Sequence, residues 1–139
     1  ESLLAEVPEG ACILAYNMSF EKGVLRELAA QFPEHAEAVE RRAGRIRDLM
    51  APFRRRDVYF WKFKGAYSIK NVLPILVPEL SYEGLSIADG GAAMDAYHQM
   101  CAAKDSHGKL LEIRRNLLDY CRLDTLAMVR ILEKLKEMI

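Results

Sequence analysis

The sequence predicts a helix-rich α/β fold that is short of strands. Three observations predict it. One uncharged run of strand length, Ala11-Cys12-Ile13-Leu14-Ala15-Tyr16, follows Gly10 and precedes a polar helix start. Apolar residues at spacings of three and four fill most of the remainder. Prolines and glycines fall at the ends of those periodic segments rather than inside a second set of strands.

The elements follow in order. Ser2 to Val7 reads as the end of a helix running into Pro8-Glu9-Gly10. Residues 11–16 form the first strand, buried on both faces. Asn17, or alternatively Ser19, caps a helix on which Phe20, Val24, Leu25 and Leu28 recur at helical spacing and which stops where Pro33 follows Phe32. Pro33 suits the first turn of the next helix, His35 to Ala43, which Gly44 ends. Ile46 to Met50 is a second strand, broken by Pro52, and residues 53–67 are irregular or weakly extended. Ser68 caps an apolar helix over Ile69, Val72, Leu73, Leu76 and Val77, ended by Pro78. Leu80 to Gly91 is loop, Ala92 to Ala103 helix, Asp105 to Gly108 turn, and the last 30 residues one long amphipathic helix. Two short strands are too little sheet for an independent α/β domain. The expectation is one partial domain over 1–139, with strands upstream of it.

Composition narrows the class. The 139 residues are 51% hydrophobic and 29% charged, which supports a packed core and argues against disorder. No stretch is long and apolar enough for a membrane span, and the opening residues lack the features of a signal peptide. Cys12, Cys101 and Cys121 are widely spaced and odd in number. They read as buried, reduced thiols and place the chain in the cytoplasm. His35, His98 and His107 show no ligand spacing with them, which argues against zinc.

Twenty basic and twenty acidic residues give a net charge of zero, and the zero hides segregation. Residues 1–40 carry 2 basic and 8 acidic side chains, residues 41–70 carry 10 and 2, and residues 71–139 carry 8 and 10. The basic third interleaves Arg54, Arg55, Arg56, Lys62, Lys64 and Lys70 with Phe53, Tyr59, Phe60, Trp61, Phe63 and Tyr67. Cations among aromatics suit a single-stranded nucleic acid, phosphates meeting the cations and bases the rings. A solvated basic loop over an aromatic core cluster explains the same pattern.

Two features carry candidate chemistry. The final helix has an apolar stripe, Leu110, Leu117, Cys121, Met128, Leu132 and Leu135, and Asp124 interrupts it. An ionised carboxylate on a core-facing stripe is costly unless partnered. Tyr120 lies one turn earlier on the same face. Either the pair belongs to a site, or Asp124 sits at the stripe's edge and pairs with Arg122 or Arg130. The second feature is Asn17 to Glu21, at the carboxyl end of a buried strand, where ligands bind in α/β folds. Glu21 either complements the helix dipole or points into such a site.

Tyr16-Asn17-Met18-Ser19-Phe20-Glu21 resembles the second motif of the DEDD superfamily of 3′–5′ exonucleases, and Tyr120-Cys121-Arg122-Leu123-Asp124 resembles their third motif in its tyrosine form. The text between them, Ile46-Arg47-Asp48-Leu49, Tyr67 to Leu73 and Leu80-Ser81-Tyr82, is similar to an uncharacterised bacterial domain family grouped with these nucleases. The resemblance implies a truncated RNase H-like fold, a mixed sheet flanked by helices, lacking its first strands. It implies two Mg²⁺ or Mn²⁺ ions held by four carboxylates, one activating water and one stabilising the departing oxygen. Asp124 would then be a metal ligand, Glu21 a second, and Tyr120 the group that orients the attacking water. Asn17 would join the six cations in contacting the nucleic acid.

Glu21 stands where many relatives carry Asp. The first motif, Asp-x-Glu on the opening strand, has no counterpart, because residues 11–16 contain no acid. The expectation is therefore half a metal site, inactive alone, from a parent exonuclease acting on single-stranded DNA or RNA. A non-catalytic nucleic-acid-binding or assembly module is the alternative. A bare strand edge further predicts a homodimer through the sheet.

Overall fold

Seven helices and two strands follow one another in a computed structural model that describes residues 2–102 and 107–138. The protein is 67% helical with one small parallel sheet, an α/β pattern. It divides into two compact units, residues 1–69 and 70–139.

The first unit is built on a βαβ crossover. It comprises α1 (Ser2–Glu6), β1 (Ile13–Ala15), α2 (Met18–Gln31), a 3₁₀ turn (Pro33–His35), α3 (Ala36–Ala43), β2 (Ile46–Asp48) and α4 (Ala51–Arg54), with a second 3₁₀ turn at Trp61–Phe63. The strands pair in parallel with Ile13 opposite Ile46, Leu14 opposite Arg47 and Ala15 opposite Asp48. Parallel partners need a long connection, and α2 with α3 supplies it. Ala15, Ala29, Val39, Ala43, Ile46, Leu49, Met50, Phe53 and Phe63 form its core.

Both strands are shorter than expected, for local reasons. β1 ends because Asn17 turns into the left-handed region at φ 70°, a conformation Asn tolerates better than most residues. That residue is the N-cap of α2 by position, yet its side chain makes no capping hydrogen bond. β2 ends because the Asp48 carboxylate accepts the Met50 amide at 3.0 Å and folds the chain into α4. Pro52 does not simply break the strand: it occupies the first turn of α4, where a missing N–H is harmless. Residues 53–67 thus contain two helical turns instead of an extended segment.

At the start of the unit, Arg42 binds the carbonyls of Val7, Leu4 and Ala38 at 2.9, 2.9 and 3.1 Å, which clamps the end of α1. Ile13 and Ala15 turn their main-chain groups towards β2, as the bonds from the Ile13 amide to Arg45 and from the Leu49 amide to Ala15 show. Those of Leu14 face the outer edge. An apolar recess of about 340 Å³ lies against the strands, lined by Leu3, Leu14, Phe20, Val24, Leu28 and Ile46 among others. Phe20, Val24 and Leu28, at helical spacing on α2, are exposed.

The second unit holds α5 (Ile69–Leu76), α6 (Gly90–Ala102) and α7 (His107–Glu137). Its core is Val72, Leu73, Leu76, Val77, Tyr82, Ile87, Ala127 and Ile131. α5 carries Pro74 inside it, which removes one ladder bond late in a short helix. Asp89 caps α6 by accepting the Ala92 amide at 2.8 Å, so this helix starts two residues before Ala92. α7 runs 31 residues without a break, about 46 Å at the usual rise. The expected turn at Asp105 to Gly108 lies partly outside the described residues, and Gly108 already belongs to α7.

Two further expectations are corrected. All three cysteines are exposed rather than buried, because each falls on the outer side of its segment. The inward stripe of α7 runs through Ala127 and Ile131, both fully buried, and leaves Cys121 outside. Among the described residues, no helix is long and apolar enough to cross a membrane.

Candidate functional site

In the second unit, α7 projects Tyr120 and Asp124 one turn apart on its inward side, both half-buried. The loop after α5 brings Tyr82 to meet them. Its hydroxyl donates to Asp124 Oδ1 at 2.7 Å, and its ring lies 6.2 Å from that of Tyr120, tilted by 45°. Neither Arg122 nor Arg130 is the partner, and Arg130 instead reaches Glu133 at 2.8 Å. Asp124 is therefore held by a neutral donor, and no described Lys or Arg forms a salt bridge with it. Burial, then the charges of Asp124, Cys121 and Asp89, push the Tyr120 hydroxyl above its ordinary value. It stays protonated at neutral pH and acts as a donor, not a base.

Around this cluster, Lys70 stands 3.9 Å from Asp89, a loose and largely solvated pair. Lys70 and Tyr82 also line a recess of about 280 Å³ with Leu73, Pro74, Ser81 and Glu83. The wall that holds Asp124 in place is thus also the wall of a cavity.

In the first unit, the candidate residues gather about Asp48. Its side chain is 5% exposed, and Oδ1 accepts the backbone amides of Asn17 and Met50, each at 3.0 Å. Oδ2 faces the Arg54 guanidinium at 3.5 Å. Asp48 therefore fixes the turn from β1 into α2, and so sets where Glu21 starts its helix. Glu21 lies in the first turn of α2 and lines the apolar recess, with one carboxylate oxygen shut off from solvent. Tyr16 stacks on Phe53 at 6.5 Å and donates to the Tyr67 carbonyl at 2.7 Å. Burial, and then Asp48, push its hydroxyl far above the usual tyrosine range.

The six cations expected to meet a nucleic acid separate into two groups. Arg54 pairs with Asp48, Arg55 with Asp57 at 2.8 Å, and Lys70 faces Asp89. Arg56, Lys62 and Lys64 are exposed and make no ion pair among the described residues. The aromatics separate as well: Phe53 and Phe63 are core, while Tyr59, Phe60, Trp61 and Tyr67 are exposed.

The structure thus brings Tyr120 and Asp124 together with Tyr82, and Asn17 together with Asp48 and Arg54. Glu21 belongs to one unit and Asp124 to the other. As a donor set for a divalent metal, Asp124 supplies one hard oxygen, but no group of three or more His, Cys, Asp or Glu suited to a metal gathers among the described residues. Tyr82 and Asp48 are the residues that sequence reasoning did not single out. Asp48 had a local signature, a carboxylate ending a strand two residues before a helix. Tyr82 had none, since its partner lies 42 residues away.

Residues 1–68 match the family model described as Domain of unknown function (DUF2779). The match covers just under half of the 139 residues and ends one residue short of the boundary of the first unit. No curated protein and no solved structure matches the chain.

Proposed function

We propose that this chain is the C-terminal part of an RNase H-like, metal-dependent 3′–5′ exonuclease domain of the tyrosine DEDD type, acting on DNA or RNA and inactive without further carboxylates. The observation that carries this reading is the state of Asp124. A half-buried carboxylate one turn from a tyrosine, oriented by a second tyrosine's hydroxyl and bridged to no described cation, offers the hard oxygen that a divalent ion requires. A carboxylate kept only for stability is more simply satisfied by an arginine, and several lie on the same helix.

In this reading Tyr82 fixes the Asp124 carboxylate, and Tyr120, protonated at neutral pH, donates to the water or phosphate that approaches it. Mg²⁺ or Mn²⁺, when bound, supplies charge stabilisation at the phosphodiester. The reading calls for further carboxylates, which residues 11–16 do not supply.

The test uses the parent protein with its upstream sequence and a 5′-labelled single strand in Mg²⁺ or Mn²⁺. Stepwise loss from the 3′ end is expected, and Asp124→Asn should abolish it. Full activity of Asp124→Asn refutes the reading.

A second reading, a non-catalytic nucleic-acid-binding module, is favoured by the exposed cations and rings of residues 56–64, which need no carboxylate. Salt-dependent binding without hydrolysis by the parent protein would select it.

A further inference from the structure

Residues 54–67 carry five basic side chains and one acidic one. They also hold five of the molecule's aromatic residues, and the structure gives those rings different tasks. Phe63 is buried and anchors two neighbours edge-on, Tyr59 at 6.1 Å and Phe60 at 5.4 Å. Trp61 opens the short 3₁₀ turn and is 74% exposed, more than any other large apolar residue described. The turn closes at Lys64 with φ 49°, followed by Gly65 at φ 82°. Arg56 also takes a positive φ, 63°. Three residues thus hold the left-handed region, which is uncommon outside glycine and costs free energy at the two that are not. The segment is shaped as well as charged.

From these observations we infer that Trp61 and Tyr59 form a stacking platform for unpaired nucleobases, with Arg56, Lys62 and Lys64 on the adjoining phosphates. An exposed indole beside free cations matches the two groups that a single strand offers, flat bases and a regularly charged backbone. A duplex hides its bases and offers the platform only phosphate. An anionic lipid surface is the competing partner for Trp and Lys together. Lipid binding of that kind uses an amphipathic helix laid along the surface, whereas Trp61 stands on a three-residue 3₁₀ turn. The platform lies within the first unit and uses no residue assigned to catalysis above, so it stands or falls separately from the exonuclease reading.

Trp61 is the sole tryptophan, so its emission reports on this site alone. The 139-residue chain is titrated in EDTA, which removes hydrolysis, with (dT)₁₂, (rU)₁₂, a 12-base-pair duplex, and vesicles of phosphatidylcholine with one quarter phosphatidylglycerol. Saturable quenching by either single strand is expected, weakening as salt rises. The tighter of the two identifies the natural sugar. In anisotropy titrations of the labelled single strand, Trp61→Ala should weaken binding about 5- to 100-fold while Trp61→Phe keeps most of it. The pair Lys62→Gln and Lys64→Gln should lower the salt slope by about 1.4. Because Trp61 is solvent-exposed, its variants should keep the parent circular dichroism spectrum. Absence of quenching, equal quenching by duplex, a response to vesicles alone, or unchanged affinity in Trp61→Ala each overturns the inference.

Discussion

Replacing Asp48 by alanine should destabilise the first unit more than any other single loss of a polar side chain there. The carboxylate is nearly inaccessible, and two backbone amides converge on one of its oxygens at 3.0 Å. A hydrogen bond to a charged group contributes roughly 1.5–3 kcal/mol. The two amides do not lose equally. Met50 is buried and its N–H is left without a partner, whereas Asn17 is exposed and can rehydrate. One full bond and part of another give about 2–4 kcal/mol, and the half-exposed Arg54 at 3.5 Å adds little more than a few tenths. With a urea m-value of roughly 2 kcal/mol/M, the midpoint should fall by about 1–2 M. Trp61 emission is the appropriate probe, since it lies in the same unit. Asp48→Asn keeps an acceptor and loses the charge, so about half the effect is expected. A midpoint for Asp48→Ala within about 0.3 M of the parent would refute the assignment of Asp48 as the pin of the β1–α2 turn.

Two other outcomes follow from groups already described. Tyr16 has its hydroxyl raised by burial and by Asp48, so the unfolded chain ionises first, near pH 10, while the folded form still holds its proton. The stabilisation is complete below pH 10 and declines as pH climbs above it; Tyr16→Phe should flatten that decline in urea midpoints measured from pH 8 to 10.5, and an unchanged slope would count against the burial. Cys12, Cys101 and Cys121 are all exposed, so three thiols should react with a disulfide reagent without denaturant, and fewer would show that the buried reading was right after all.

Much of the fold was legible because local chemistry decides it. The helices at 18–31, 36–43 and 69–76 begin and end where a left-handed Asn, a proline or a glycine requires. The strands were legible in place but not in length, since Asp48 ends one by binding a backbone amide and Asn17 ends the other by its φ. Neither event is written in hydrophobic periodicity. The short helix at 51–54 was missed because Pro52 reads equally as a strand breaker and as a helix starter, and only the Met50 amide bond decides between them. Burial failed at the cysteines for a different reason. Periodicity identifies an apolar face, but whether that face is covered depends on what packs against it, as the exposed Phe20, Val24 and Leu28 of α2 illustrate.

The same distinction governs the candidate site. Asp124 was visible because a charge on an apolar stripe violates a local rule, and its partner in the structure is Tyr82 where one of the two readings offered an arginine. That replacement matters more than the position. An arginine would have cancelled the carboxylate's charge, which ends the case for a cation there. A tyrosine hydroxyl orients the carboxylate without forming a salt bridge to it. Tyr82→Phe therefore separates a structural role from a functional one. Loss of the hydroxyl should cost about 1–2 kcal/mol of stability under either role. If it also orients Asp124 for a cation, Tyr82→Phe should weaken Mn²⁺ binding by the folded parent protein, and an unchanged Mn²⁺ affinity leaves the structural role alone.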